Sequence, residues 1–231
     1  MRIFVPPAQL AAGTLSITGD EHHYLSRVRR ARTGDRLELV DGAGRRAAAT
    51  IASISDSATT LTVSDPEAIA SAPPFIRALI PWIKGDRMDV CIEKLVEAGC
   101  DEIVVWPAAR AVVVLDSERR AGRIVKLASA VQAAARQCGR AQVPTVRAAD
   151  SLSSALPAEG LRIVLDPTSD GVLEAGAAAE VTLISGPEGG FTNAELEQLA
   201  MCTSVGLGPR ILRAETAPVI ATAIIRAQTR S

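Results

Sequence analysis

The sequence predicts an α/β protein in two parts, a small barrel-like β domain over residues 1–72 and a larger α/β domain over residues 73–231. Three observations predict it. Short β-type segments surround one helical stretch in the first part. A run rich in proline and small residues, Ser64-Asp-Pro-Glu-Ala-Ile-Ala-Ser-Ala-Pro-Pro74, marks a change of rhythm, and beyond it near-continuous apolar runs alternate with helical patterns. With 231 residues, 48% of them hydrophobic, and a mean hydropathy of +0.20, the chain has enough apolar side chain to build cores for both parts.

The elements follow in order. Asp20 is placed to cap a helix over residues 21–31. The strand at residues 36–40 ends in Asp41-Gly42, a hairpin signal, and alternating residues 47–54 and then 59–63 supply the next two strands. After the boundary, strands are expected at residues 76–81, 102–106, 161–165 and 181–185, with a short one near Val205. Helices are expected over 87–98, 118–138, 193–201 and 216–228. The first of these has Met88, Ile92, Leu95 and Val96 on one face and Gly99 where a left-handed cap belongs. Apolar strands between helices imply a parallel sheet covered on both faces.

Composition excludes several classes. No run approaches the roughly 18 apolar residues of a membrane helix, and Met1-Arg2-Ile3-Phe4-Val5-Pro6-Pro7 is too short and too soon broken by proline for a signal peptide, so a cytoplasmic protein with no membrane partner is expected. Cys91, Cys100, Cys138 and Cys202 are scattered, which supports neither a disulfide framework nor a metal site. Lys plus Arg number 25 against 26 Asp plus Glu, which argues against indiscriminate coating of nucleic acid. Yet residues 27–46 hold seven arginines and three acids. Such a run is either a solvated helix face plus hairpin or a patch that meets phosphates.

Two loops concentrate the chemistry. Ser185-Gly-Pro-Glu-Gly-Gly-Phe-Thr-Asn-Ala-Glu195 leaves a buried strand, turns through three glycines and opens a helix whose Thr192 and Glu195 form a capping box. At the carboxyl end of an α/β strand this is where ligands bind, although a plain tight turn is the alternative; Glu188 favours the former, because a turn needs no carboxylate. It is neither a GxGxxG nor a Walker A loop. The second, Gly206-Leu-Gly-Pro-Arg-Ile-Leu-Arg-Ala-Glu-Thr216, reads either as a surface connection with an Arg213–Glu215 ion pair and a Thr216 cap, or as a site built on Arg210, Arg213 and Glu215. His22 and His23 read as packing or RNA-contact residues, and Trp82, Trp106 and Phe191 as core or pocket wall.

Gly186-Pro-Glu-Gly-Gly-Phe191 together with Leu207-Gly-Pro-Arg-Ile-Leu-Arg-Ala-Glu-Thr-Ala217 resembles the C-terminal signature of the RsmE-type methyltransferases, which methylate N3 of a uridine in 16S ribosomal RNA. The resemblance extends to Lys84-Gly-Asp-Arg-Met88, Glu93-Lys94, Glu97-Ala-Gly99, Gln137-Cys-Gly-Arg140 with Val143-Pro144, and, in the first part, His23, Val28-Arg29, Gly34-Asp35 and Asp41-Gly42. Two positions depart from the family pattern: Arg136, where many members carry an acid, and Pro107-Ala108-Ala109, in place of a serine-rich segment before Arg110.

The resemblance implies a PUA-like RNA-binding barrel, a SPOUT α/β domain with a trefoil knot, and a homodimer acting on 16S ribosomal RNA or the assembled small subunit. It implies S-adenosyl-L-methionine as cofactor, held by Leu165, Gly186, Pro187, Glu188, Gly189, Gly190, Leu207, Gly208, Ile211, Leu212 and Ala217. RNA contacts would come from Arg27, Arg29, Arg30, Arg32, Arg110 and Arg140, and catalysis from Arg210, Arg213 and Glu215. Methyl transfer from a sulfonium is an in-line displacement that needs alignment and the removal of one proton, and no metal.

Overall fold

The computed structural model describes residues 1–70 and 72–229. The chain divides into two compact units, Met1–Ser71 with Ala135–Val143, and Ala72–Ala134 with Pro144–Ser231.

In the first unit, β1 (Arg2–Phe4), β2 (Gly13–Ile17), β3 (Arg36–Val40), β4 (Arg45–Ile54) and β5 (Thr59–Val63) form a sheet in the order β1-β3-β4-β5-β2, with β6 (Glu67–Ala68) beside β4. β1 runs parallel to β3, and the other pairs are antiparallel. Alternation sends Leu37, Leu39, Ala47, Ala49, Ile51, Leu61 and Val63 into one core with Ile3, Ile17 and Leu25. The β3–β4 hairpin expected at Asp41-Gly42 is present. Its four-residue loop is organised by the Asp41 carboxylate, which accepts from the Ala43 and Arg45 N–H groups and from Arg45 Nε at 2.8, 3.0 and 2.6 Å, while Gly42 takes φ 73°.

The helix expected at 21–31 differs. α1 (Gly19–His23) starts at Thr18, so Asp20 lies inside the first turn, where its charge suits the helix amino end without making a cap hydrogen bond. The chain then widens into a π-type turn over Tyr24–Val28, with Arg29 N–H bonded to Tyr24 C=O, and stops at Arg30, whose φ of 51° no helix can continue. His22 is buried against Thr59 Oγ1 (2.9 Å) and Asp56 C=O (3.3 Å), a packing role, whereas His23 is exposed.

The second unit is built on β7 (Phe75–Pro81), β8 (Glu102–Trp106), β9 (Thr145–Ala148), β10 (Leu161–Leu165), β11 (Glu180–Ile184) and β12 (Thr203–Val205). All pairs are parallel, in the order β12-β10-β11-β7-β8-β9. β9 is an addition to the expected set: Thr-Val-Arg-Ala at the sheet edge has no apolar run to announce it. Both faces are buried, as the apolar strands predict. Ile163, Leu165, Val181 and Leu183 pack with Ala221 and Ile225 of α6 (Ala217–Gln228), while Val164 and Ile184 pack with Leu152 and Ala155 of α4 (Leu152–Ala155) and with Leu199, which follows α5 (Asn193–Gln198).

α2 (Asp86–Ala98) buries Met88, Ile92, Leu95 and Val96 and ends at Gly99 with φ 101°. That bare glycine lets Arg226 of α6 lie against it, donating to the carbonyls of Gly99, Ala72 and Pro74 and pairing with Asp101. α3 (Ser117–Cys138) is opened by Asp116, which accepts from Arg119 N–H at 2.8 Å. Its last residues, including Arg136, belong to the first unit; there Arg136 bonds Glu21 at 2.6 Å and covers the Phe4 ring at 5.3 Å. Among the described residues no helix is long and apolar enough to cross a membrane, and no three His, Cys, Asp or Glu are grouped to hold a metal.

Candidate active site

The loops after β10, β11 and β12, three adjacent strands, meet at the carboxyl end of the sheet and enclose a cleft of about 570 Å³. Of the residues singled out from sequence, Leu165, Gly186, Pro187, Glu188, Gly190, Leu207, Ile211, Leu212 and Ala217 line it, as do Arg210 and Arg213. Gly189, Gly208 and Glu215 stand outside the lining. Asp166, Ser185, Phe191 and Leu196 join the wall without having been singled out as ligand-binding positions.

The glycine loop is held from three sides. Thr192 and Glu195 make the expected capping box of α5. Glu195 also accepts from Ala109 N–H at 2.9 Å, so Pro107-Ala108-Ala109 is tied to the loop through backbone. Burial pushes the Glu195 carboxyl up, but hydrogen bonds from Ala109, Thr192 N–H and the Thr192 hydroxyl, with the nearby Arg110 charge, leave it below the usual range. Arg110 Nη1 donates to the carbonyls of Gly189 (3.2 Å) and Phe191 (3.1 Å), so the loop uses part of this guanidinium. Phe191 stacks on buried Trp106 with centroids 6.1 Å apart, and a β-carbon on Gly186 would lie 2.9 Å from that phenyl ring.

The second loop is anchored where Arg213 C=O accepts from the N–H groups of Thr216 and Ala217. Thr216 makes no side-chain cap hydrogen bond. Glu215 is largely buried: Oε1 lies 3.9 Å from Arg213 Nη1 and 3.7 Å from Arg87 Nη1, and Oε2 is buried without a hydrogen-bond partner. Arg87 also reaches Glu188 Oε1 at 3.4 Å. Sequence reasoning gave Arg87 no role, because no local spacing connects it to either loop. Its signal was its place in Lys84-Gly-Asp-Arg-Met88, after the strand next to β11.

In the first unit the charged run separates. Arg45 pairs with Asp41, and Arg46 with Glu67 and Glu38. Arg29 donates to the Tyr24 hydroxyl at 2.7 Å, and Arg27, Arg30, Arg32 and Arg36 are exposed without an ion pair among the described residues. Arg140 lies in the 135–143 segment, with its N–H bonded to Ala135 C=O.

A parallel α/β unit whose glycine-bearing loops form a cleft at the strand ends, carried in one chain with a β unit that bears a cationic turn, defines a cofactor-binding domain with an accessory domain. The model of the family described as RNA methyltransferase domain matches residues 71–226, and that of the RNA methyltransferase PUA domain matches residues 17–64. The chain is 32% identical to ribosomal RNA small subunit methyltransferase E of Bacillus subtilis (strain 168), over 94% of this chain and 91% of that protein. It is 30% identical to the protein of the same name from Mycobacterium tuberculosis (strain CDC 1551 / Oshkosh), over 89% and 83%. Among solved structures, ribosomal RNA small subunit methyltransferase E from Neisseria gonorrhoeae, bound to S-adenosyl methionine, superposes with a TM-score of 0.79 at 29% identity, covering 98% of this chain and 97% of that one. The chain belongs to the RNA methyltransferase family, among its RsmE-type members.

Proposed function

We propose that the protein methylates N3 of a specific uridine in 16S ribosomal RNA with S-adenosyl-L-methionine as donor, working as a cytoplasmic homodimer on the RNA or the assembled small subunit. The observation that carries this reading is the convergence of both motif loops on one cleft. Its volume of about 570 Å³ falls within the ~300–1,000 Å³ usual for cofactor sites. The wall fits a nucleoside. Phe191 and Leu165 offer apolar surface, and the loop backbone at Gly186 lies bare except for the phenyl ring beneath it.

When bound, S-adenosylmethionine supplies a sulfonium methyl. Leu165, the 186–190 loop with Gly189 at its turn, and the 207–212 segment with Gly208 would hold it, and Ala217 would close the floor. Uridine N3 is a poor nucleophile until its proton leaves. Glu215 would take that proton, and Arg210 and Arg213 would stabilise the charge spread over O2 and O4. N3 then forms its bond to the methyl carbon, and the carbon–sulfur bond electrons return to sulfur. N3 lies on the pairing edge, so the base must be unpaired or flipped.

Arg27, Arg29, Arg30 and Arg32 would hold the RNA backbone, with Arg140 and the part of the Arg110 guanidinium not used on the loop. The first sheet would close as a PUA-like barrel over residues 1–72. Residues 73–231 would form the SPOUT domain with its trefoil knot. The tight passage of the loop after β10 against the end of β12, where a β-carbon on Gly171 would lie 2.3 Å from Ser204 C=O, supports such a crossing.

The deciding experiment incubates small subunits from a strain lacking this gene with the full chain and S-adenosylmethionine, then maps the product by reverse transcription. N3-methyluridine cannot pair, so a new stop is expected at one uridine. No stop, or a stop at a cytidine or guanosine, overturns the reading. Light scattering of the active protein checks the dimer, which a strict monomer with full turnover would exclude.

A further inference from the structure

Charged groups from three separate segments meet at the edge of the cleft, which Glu188 lines. Arg87 sits in the first turn of α2, after β7; Glu188 is in the loop after β11; Glu215 is in the loop after β12. One guanidinium reaches both carboxylates, Glu188 Oε1 at 3.4 Å through Nη2 and Glu215 Oε1 at 3.7 Å through Nη1. The fork geometry is what allows this, because an ammonium offers no two fixed nitrogens aimed at separate acids. The side chain is about one-third exposed, while that of Glu215 is 12% exposed.

Resting on the function proposed above, we infer that Arg87 is a positioning residue for methyl transfer. It spans Glu188 and Glu215 at 3.4 and 3.7 Å and holds the loops that carry them in register. Glu215 Oε2 is buried without a donor, so the carboxylate relies on the flanking Arg87 and Arg213 charges to stay in place. Because the clamp starts in α2, which packs on α6, both loops are referenced to the helical layer rather than only to each other.

The charged and titratable groups around Glu215 define the test. They are Arg87 and Cys91 of α2, Arg213 of its own loop, and Glu188 beyond Arg87. Cys91 is a buried thiol pushed up to about 12, mainly by desolvation, and stays neutral across the working range. Removing Arg87 takes away the cation that the Glu188 and Glu215 loops share and leaves Arg213 alone beside Glu215.

Full-length Arg87→Ala and Arg87→Lys are compared with the wild type for cofactor affinity by calorimetry and for kcat and KM on small subunits. Expected for Arg87→Ala are a kcat lower by roughly ten- to a hundredfold, short of the loss of the acid–base group itself, and a nearly unchanged KM. Arg87→Lys keeps the charge without the fork and should recover kcat only in part. Should Arg87→Ala fail to fold, Glu188→Gln with Arg87→Lys replaces it, and a drop in kcat with a nearly unchanged KM is expected there. Folded variants with wild-type kcat overturn the inference, as does a fall in melting temperature alone. A wild type that binds no S-adenosylmethionine and methylates nothing brings down the underlying reading first, and this inference with it.

Discussion

A β-carbon on Gly206 would lie 2.2 Å from the carbonyl oxygen of Ser169. The contact joins the end of β12 to the loop after β10, and it is reinforced on both sides: Gly206 N–H donates to Gly171 C=O at 3.0 Å, and Ser169 Oγ donates to Ser204 C=O at 3.0 Å. The neighbouring Asp166 and Leu207 line the cleft, so the crossing fixes one of its walls.

Gly206→Ala should therefore destabilise the protein by about 2–3 kcal/mol, since backbone rather than a flexible side chain must move. Gly208→Ala is the control. There φ is 104° but nothing lies within 4 Å, so the cost should stay near 1 kcal/mol, the conformational penalty alone. Denaturant midpoints measure both. Equal losses would mean that the crossing can relax.

Arg226→Ala should cost about 2–4 kcal/mol, because one partly buried guanidinium satisfies the carbonyls of Gly99, Ala72 and Pro74 and pairs with Asp101. Lysine has no fork to cover the same set and should recover less than half. Thermal melts on the purified chain read this directly. A loss within ~0.5 kcal/mol for alanine would show the contacts replaced by water.

Glu195 gives a pH prediction. Its folded pKa lies below its ordinary value of 4.5, so its contribution is fully present above about that pH and is lost as pH falls through the lower folded value. Glu195→Gln keeps an acceptor oxygen but no charge. Its melting temperature should fall below the wild type's at neutral pH, and the gap should narrow as pH drops below 4.5. A constant gap would mean that shape, not charge, sets the effect.

What the sequence revealed and what it withheld divides along contact distance. The α2 face, its Gly99 cap, the Thr192–Glu195 box and the strands of the parallel sheet rest on neighbours within one or two turns, and periodicity exposes them. The π-type turn at Tyr24 and the edge strand β9 escaped, the first because several arginines in a row look helical, the second because a half-exposed edge needs no apolar run. Arg87 at Glu188 and Glu215, and Gly206 at Ser169, are long-range meetings that no single-sequence pattern encodes. The two motif loops were legible because each carries chemistry that a turn does not need. That they share one cleft is a property of strand order, β12-β10-β11, which periodicity cannot supply.

Burial distinguishes Arg210, Arg213 and Glu215, which share the loop after β12. Arg210 and Arg213 are exposed on the cleft lining, while Glu215 is held behind it between Arg87 and Arg213. If the 3.9 Å Arg213–Glu215 approach only closed a loop, Arg213→Ala would cost ~1 kcal/mol or less and leave turnover nearly intact, since an exposed pair at that distance is weak. We expect instead that Arg213→Ala and Glu215→Gln stay folded, bind cofactor within a few-fold of wild type, and lose turnover by a factor on the order of a hundred or more, the usual scale for an acid–base group or an oxyanion donor. Arg210→Ala should follow them if it faces the base. If it meets a phosphate instead, it should weaken subunit binding with a shallower salt dependence. Single-turnover rates at saturating cofactor, set beside calorimetric affinities, distinguish these outcomes. Near-wild-type rates in both Arg213→Ala and Glu215→Gln would remove Glu215 as proton acceptor, and the N3 proton would then have to leave to water or to a group on the RNA.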